Sequence, residues 1–254
     1  MPLLSSLNAP GEAYDPATYG DRIASVYDAL YPGGPEAEEM AELLAGLAGS
    51  GRALELGIGT GRVALPLAAR GVEVHGIDAS EAMVSQLRAK PGGEHIPVVI
   101  GDFKSVPVEG SFTLVFVAFN TFFVLADQDE QVQCLRAVAD HLLPGGAFVV
   151  EAFVPDPARF DRGQRTATSQ IAGDWFVLES SVHDPVGQRV RSVLAFISAR
   201  ETRLYPIELR YAWPSELDLM TRLAGLRLQH RWGGWSREKF TASSPKHVSV
   251  YRRA

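Results

Sequence analysis

The 254-residue sequence has little of what marks a secreted or membrane-spanning protein. A single cysteine, Cys134, excludes an intramolecular disulfide and is typical of proteins from a reducing compartment. Residues 1–6 lack a basic segment followed by a long apolar run, so they do not resemble a signal peptide. No apolar stretch approaches the ~20 residues that a bilayer-spanning helix needs. We therefore expect a cytoplasmic protein that does not associate with a membrane.

Positive charge is also scarce. The chain has 24 lysines and arginines against 30 aspartates and glutamates, a formal net charge of -6, and no long basic run. An acidic surface repels a phosphate backbone, which argues against nucleic acid as a partner. The six histidines are scattered, so we expect no metal site, and no Gly-x-Ser-x-Gly turn marks a serine hydrolase.

Strand-like and helix-like segments alternate through the first two thirds of the chain. The predicted strands are 53–56, 72–77, 98–100, 112–119 and 147–153. The predicted helices are 21–30, 36–48, 61–69, 80–89 and 129–143. This alternation implies right-handed crossovers and a parallel, Rossmann-like α/β sheet.

The pattern changes after Pro155, where polar and apolar residues alternate from about 165 to 212 with a turn signal at 184–187. This predicts a small antiparallel β-sheet inserted into the main fold. A helix from Pro214 and an antiparallel strand pair, 226–232 and 248–251, then complete the main sheet. The edges of the inserted sheet would suit a contact in a homodimer. We divide the chain into a lid segment at 1–34, a core at 35–154, an inserted β-subdomain at 155–213, and a C-terminal helix and hairpin at 214–254.

A strand, a glycine-rich turn and a helix follow one another at residues 53–61, which read ALELGIGTG. Glycines let a ligand approach the backbone closely, and the helix N-terminus offers unpaired N–H groups. Two cofactor classes fit such a loop. Gly59-x-Gly61-x-x-Ala64, with Asp78 about 20 residues further on, fits the dinucleotide pattern of a nicotinamide or flavin enzyme. The other class is S-adenosylmethionine.

Three features favour S-adenosylmethionine. Glu55, just before the glycines, suits a ligand with an α-amino group, whereas a carboxylate beside a pyrophosphate is repulsive. After the third strand come Gly101, Asp102 and Phe103; the acid suits an adenine amino group and the aromatic ring packs on the base. The third feature is LLPGG at 142–146, between a helix and the next strand. Acids at the carboxyl ends of successive strands stand where open α/β sheets bind ligands.

On these residues the sequence resembles the class I S-adenosylmethionine-dependent methyltransferases, over about 14–153 and the closing hairpin. The resemblance implies that the glycine loop and Glu55 line the methionine part of the donor, Asp78 binds the ribose and Asp102 with Phe103 meets the adenine. It also implies an N-terminal lid of tyrosines. The residues expected to bind the cofactor, with S-adenosylhomocysteine as product, are Tyr19, Tyr27, Glu55, Gly57, Gly59, Gly61, Asp78, Ala79, Met83, Gly101, Asp102, Phe103 and Phe119.

The acceptor side is harder to predict. Methyl transfer is an in-line displacement, so the enzyme must mainly align the nucleophile and exclude water, and a base is needed only if the acceptor must lose a proton. The layout looks like the aminosugar N-methyltransferases of antibiotic pathways. Some of those carry a histidine near the position of Val124, and the apolar Phe122, Phe123 and Val124 instead suggest a hydrophobic acceptor. The candidate catalytic residues are Tyr14, Asn120 and His183.

We therefore expect transfer of a methyl group from S-adenosylmethionine to an oxygen or nitrogen atom of a small molecule, a secondary metabolite. Two alternatives stay open. One is an NAD(P)-dependent oxidoreductase. The other is a methyltransferase fold used for non-methylating catalysis or for binding.

Overall fold

Short apolar strands alternating with amphipathic helices fold into a layered structure, seen in a computed structural model that describes residues 17–172 and 174–253. The helices are α1 (Ala17–Leu30), α2 (Pro35–Ala48), α3 (Ala64–Ala69), α4 (Glu81–Arg88), α5 (Gln128–His141) and α6 (Pro214–Leu223). The strands are β1 (Ala53–Leu56), β2 (Val74–Asp78), β3 (Val98–Ile100), β4 (Phe112–Val117), β5 (Leu142–Phe153), β6 (Gln164–Ala172), β7 (Trp175–Asp184), β8 (Arg189–Ile197), β9 (Thr202–Arg210), β10 (Leu226–Trp232) and β11 (Lys246–Arg253).

The main sheet has seven strands in the order β3-β2-β1-β4-β5-β11-β10. The first five are parallel to one another, while β11 runs antiparallel to both of its neighbours. Helices cover both faces, so β1 is buried at all four positions and β4 at all but one. One face packs against Met40, Leu44 and Leu67 of α2 and α3. The other packs against Leu135 of α5 and Met220 of α6.

A second sheet of four antiparallel strands, in the order β6-β7-β8-β9, lies between β5 and α6 in the chain. The turn predicted at 184–187 connects β7 to β8. Leu194, Phe196 and Tyr205 of this sheet pack in one cluster with Ile23 of α1. A Rossmann-like α/β sheet with an inserted small antiparallel sheet is thereby confirmed.

Several predicted bounds are wrong for physical reasons. The helix after the glycine loop begins at Ala64 rather than 61, because the loop glycines adopt positive φ angles that no helix accepts. The strand predicted to 119 ends at Val117, where the backbone reverses. β5 begins at Leu142 rather than 147, since Leu142 pairs with Phe112 and residues 143–146 form a bulge. Across 17–172 and 174–253, no helix is both long and apolar enough to cross a membrane.

Candidate active site

The glycine loop leaves β1 at the carboxyl edge of the main sheet. Gly57, Gly59 and Gly61 have φ angles of 72°, 56° and 80°, a left-handed backbone that favours glycine. A Cβ on Gly57 would collide with the side chain of Thr121, and one on Gly61 with Leu87. Gly59 has open space at that position and lines a cavity. The first and last glycines are thus required by packing, and Gly59 leaves room for a ligand.

Asp78, at the end of β2, connects two loops of the site. Its Oδ2 accepts the backbone N–H of Gly59 at 2.7 Å and its Oδ1 accepts the N–H of Ser80 at 2.9 Å. Burial raises the pKa of the Asp78 carboxyl, and these two backbone hydrogen bonds oppose that effect. Each carboxylate oxygen has more than one lone pair, so Asp78 can still accept hydroxyl groups from a ligand in the cavity that it lines.

Glu55 is the penultimate residue of β1 and is only 4% exposed. It accepts a hydrogen bond from the backbone N–H of Ala64, while its Oε2 is buried and has no hydrogen-bond partner among the described residues. Burial, and then the charge of Asp78, raises the pKa of Glu55 well above its ordinary value, although Arg62 lowers it. A buried carboxylate oxygen that no hydrogen-bond donor contacts suits a ligand group that is cationic or that donates a hydrogen bond.

Helix α1 forms a cover over these loops. Asp28 Oδ1 accepts the hydroxyl of Thr60 at 2.6 Å, and its Oδ2 pairs with Lys90 Nζ at 2.6 Å. About two turns earlier in the same helix, Asp21 accepts the hydroxyl of Ser80 at 2.6 Å. The two aspartates therefore attach α1 to the glycine loop and to the loop after β2. Residues of α1 and the turn after it that line the cavity are Tyr19, Gly20, Tyr27 and Tyr31.

Asp102 and Phe103 follow β3, the strand beside β2 in the main sheet. Asp102 Oδ1 caps a short helical turn by accepting the N–H of Lys104 at 2.8 Å, and Phe103 is 6% exposed. Glu130 of α5 receives a hydrogen bond from Lys104 Nζ at 3.3 Å, and that contact raises the pKa of Lys104. Both Asp102 and Phe103 line the cavity. The pair thus presents an acceptor and an aromatic ring, which suits a nitrogenous base.

The cavity has a volume of about 1020 Å³ and extends from the glycine loop and the loops after β2 and β3 to the four-stranded sheet. Glu179 on β7 accepts a hydrogen bond from Arg165 at 3.0 Å, and the hydroxyl of Ser192 on β8 shares one with Ser181 at 2.8 Å. Apolar groups from the loop after β4 and from β8 and β9 complete this wall, namely Val124, Leu125, Leu194 and Ile207. This part of the cavity is both polar and apolar.

The structure brings most of the predicted site residues together. Those that line the cavity are Tyr19, Tyr27, Gly57, Gly59, Asp78, Ala79, Met83, Asp102, Phe103, Phe119 and Asn120. Glu55, Gly61 and Gly101 belong to the same loops but are not among the lining residues. Lining residues that the sequence analysis did not predict include Thr121, Glu130, Glu179 and Ser192. Nothing in the local sequence distinguishes a polar residue that faces a cavity from one that faces solvent.

The three candidate catalytic residues have different positions. Asn120 lines the cavity, and its side-chain oxygen accepts the N–H of Phe153 at 2.7 Å. His183 is not brought to the cavity: its ring stacks on Phe160 at 4.6 Å between centroids, and its Nε2 lies 2.8 Å from the Tyr211 hydroxyl. Tyr14 lies outside the described residues.

A glycine loop after the first strand, acids at successive strand ends and a helical cover define a Rossmann-like enzyme with a nucleoside-type cofactor site. Residues 53–146 match a family model described as a methyltransferase domain. The chain is 32% identical over 203 residues to the cypemycin N-terminal methyltransferase of a Streptomyces species, covering 79% of this chain and 82% of that protein.

The solved structure of the CcbJ methyltransferase from Streptomyces caelestis is 44% identical, with a TM-score of 0.90 over 95% of this chain and 100% of that chain. The chain belongs to the S-adenosylmethionine-dependent class I methyltransferases and is similar to CcbJ and to the cypemycin N-terminal methyltransferase. CalS10, an amino pentose methyltransferase from Micromonospora echinaspora, shares the fold at 24% identity and a TM-score of 0.68, over 90% of this chain and 97% of that chain. Family membership contradicts the oxidoreductase alternative.

Proposed function

We propose that this protein transfers the methyl group of S-adenosylmethionine to a nitrogen atom of a small natural-product intermediate, with an oxygen acceptor as the second candidate. The observation that carries the donor assignment is the buried Oε2 of Glu55, which has no hydrogen-bond partner among the described residues and lies two residues before Gly57, a residue that lines the cavity. The α-amino group of the donor supplies a cationic hydrogen-bond donor for that oxygen.

The other donor contacts follow from the order of the strand ends. Asp78 receives the ribose hydroxyls, since backbone N–H groups on both of its oxygens hold it in one orientation. Asp102 and Phe103 receive the adenine. Tyr19 and Tyr27 close over the donor from α1, which the two aspartate–hydroxyl contacts attach to the loops. Burial raises the pKa of the Tyr27 hydroxyl, so it stays protonated and serves as a hydrogen-bond donor.

The bound donor supplies an electrophilic methyl group on a sulfonium, and the protein supplies alignment and exclusion of water. A neutral amine forms its new N–CH₃ bond as the S–CH₃ bond breaks, and the ammonium product then loses its proton to solvent. The name of the cypemycin N-terminal methyltransferase supports a nitrogen acceptor.

The acceptor occupies the part of the cavity next to the small sheet. Glu179 and Ser192 bind its hydroxyl or amine groups, while Leu194, Ile207 and Val124 contact an apolar portion. We therefore infer an acceptor that has both hydrogen-bonding and apolar parts.

Calorimetry with S-adenosylhomocysteine tests the donor assignment. We expect micromolar binding by the wild type, no binding by Asp78→Ala, and wild-type binding by Glu94→Ala, a control whose side chain is 54% exposed and remote from the cavity lining. Absence of binding by the wild type contradicts the proposal.

A second experiment tests the acceptor. Primary and secondary amines and their matched alcohols are incubated with enzyme and methyl-deuterated S-adenosylmethionine, and products are identified by mass spectrometry. Labelled amines are expected. Labelled alcohols alone favour the oxygen acceptor, and donor binding without any labelled product favours a fold retained for binding.

A further inference from the structure

The chain reverses direction after β4 through two residues that are not glycine. Phe119 has a φ angle of 58° and Asn120 one of 64°. Asparagine tolerates this left-handed backbone, whereas phenylalanine adopts it rarely, and such residues cost about 1–3 kcal/mol each. They persist only where surrounding contacts determine them. Both residues line the cavity, so this reversal shapes the site.

The contacts that determine the reversal come from the neighbouring strand β5. The N–H of Phe119 donates to Glu151 Oε2 at 2.9 Å, and the N–H of Asn120 donates to the Glu151 carbonyl at 3.3 Å. The N–H of Phe153 in turn donates to the side-chain oxygen of Asn120 at 2.7 Å. Glu151 therefore holds the backbone of both residues, one through its carboxylate and one through its main chain.

A chain of charged contacts returns from Glu151 to the ring of Phe119. Lys246 Nζ lies 2.8 Å from Glu151 Oε1 and 2.6 Å from Glu36 Oε1. Glu36 Oε2 lies 3.6 Å from Arg62, whose guanidinium carbon is 3.6 Å from the centroid of the Phe119 ring. This distance is well inside the range of cation–π attraction. The backbone and the ring of Phe119 are thus held from two directions by one connected set of side chains.

Glu151 itself does not touch the cavity. Its side chain is 6% exposed, and it is not among the lining residues. A carboxylate this buried is retained at a cost unless it is paired and hydrogen-bonded, and here it meets Lys246 and the Phe119 N–H. Among these contacts its carboxylate reaches the cavity lining through Phe119, whereas its carbonyl contacts Asn120.

We propose that Glu151 is a positioning residue for the methyl-donor site, acting through Phe119. By fixing the left-handed backbone, it sets the Phe119 ring against the Arg62 guanidinium, beside the glycine loop. This inference rests on the proposed function, because it assumes that Phe119 contacts the donor. Lys246, which also pairs with Glu36, orients the Glu151 carboxylate, and Arg62 holds the far side of the ring.

A double-mutant cycle measured by calorimetry with S-adenosylhomocysteine tests the proposal. Glu151→Ala and Phe119→Ala are each expected to weaken binding roughly tenfold, the equivalent of about 1.4 kcal/mol, and the double variant is expected to be no weaker than Phe119→Ala. Glu151→Gln keeps an oxygen for the Phe119 N–H and is expected to recover most of the affinity. A merely structural role would lower the melting temperature without this non-additivity.

The outcomes separate the two proposals. If the wild type binds and Glu151→Ala binds with the same affinity, the positioning role is overturned and the donor site is not. The same holds if the losses of affinity add up in the double variant. No binding by the wild type overturns the donor site itself. If Glu151→Ala does not fold, Lys246→Ala interrupts the same series of contacts at a residue whose side chain is 33% exposed. Its loss of affinity must likewise disappear in the Phe119→Ala background, and an additive loss overturns the proposal.

Discussion

His247 on β11 is a buried histidine whose protonation is disfavoured in the folded protein. It has no exposed surface, its Nδ1 lies 2.8 Å from the Ser249 hydroxyl, and its Nε2 has no hydrogen-bond partner among the described residues. Burial, and then the charge of Arg231, lowers its pKa from 6.5 to about 3, while Asp218 acts in the opposite direction. Protonation in the folded state is therefore strongly unfavourable.

The consequence for stability has a definite sign. Between about pH 3 and pH 6.5 the unfolded chain binds the histidine proton and the folded chain does not, so the free energy of unfolding decreases as the pH falls. With these two pKa values, His247 removes about 2 kcal/mol of stability by pH 5 and approaches roughly 5 kcal/mol near pH 3. Above pH 7 its contribution no longer changes.

Urea unfolding followed by tryptophan fluorescence from pH 8 to pH 5 measures this effect. His247→Asn keeps a hydrogen-bonding group near Ser249 and does not titrate, so its stability should fall less than that of the wild type by about 2 kcal/mol. Other titrating groups cancel in the difference. His95→Asn, at a side chain that is 83% exposed, is the matched control and should follow the wild type. Parallel profiles of wild type and His247→Asn would refute the reasoning.

Three further predictions concern the cover and the scaffold. Asp28→Asn weakens the contact between α1 and the Thr60 hydroxyl, so we expect roughly fivefold weaker binding of S-adenosylhomocysteine in calorimetry, equivalent to about 1 kcal/mol. Gly61→Ala combines a φ angle of 80° with a collision against leucine side chains, and we expect a loss of about 2 kcal/mol or more in urea unfolding. Asp218→Asn leaves Arg231 partly buried without its charged partner, and we expect a loss of about 3 kcal/mol in the same assay.

Each of these has a contrary outcome. Unchanged affinity in Asp28→Asn would mean that the cover stays attached through Asp21 alone. Wild-type stability of Gly61→Ala would mean that the loop relaxes away from the collision. Wild-type stability of Asp218→Asn would mean that the Arg231 hydrogen bonds to Ser249 and Tyr251 are sufficient compensation.

Much of the fold follows from local patterns. The spacing of apolar residues predicts β1 and β3 with the bounds that the structure has, and the helix predicted from residue 80 is capped by Ser80, whose hydroxyl accepts the N–H of Met83. The reversal at Phe119 and Asn120 is not predictable in this way. An unbroken apolar run signals burial on both faces, and the contacts that end the strand come from Glu151, 32 residues further along the chain.

The sequence around Glu151 does indicate that this residue needs a partner. It is the single charged residue in the apolar segment AFVVEAF, at 147–153, and a lone acid in a strand covered on both faces requires a partner. Its partner Lys246 belongs to the neighbouring strand β11, so nothing near Glu151 in sequence identifies it. The same limit applies to Glu179 and Ser192, whose exposure to the cavity depends on how the small sheet packs against α1.

The glycine loop, the acids at the strand ends and the alternation of strand and helix were determined by the sequence alone. Backbone dihedral preferences and the carboxyl edge of a parallel sheet act over short distances, and they bring these residues to one place whatever else the chain does. Tertiary structure alone decided the wall that the small sheet contributes to the cavity, the separation of His183 from the cavity and the support of Phe119 by β5. These depend on the packing of elements far apart in sequence, where burial and charge pairing, rather than local propensity, select the arrangement.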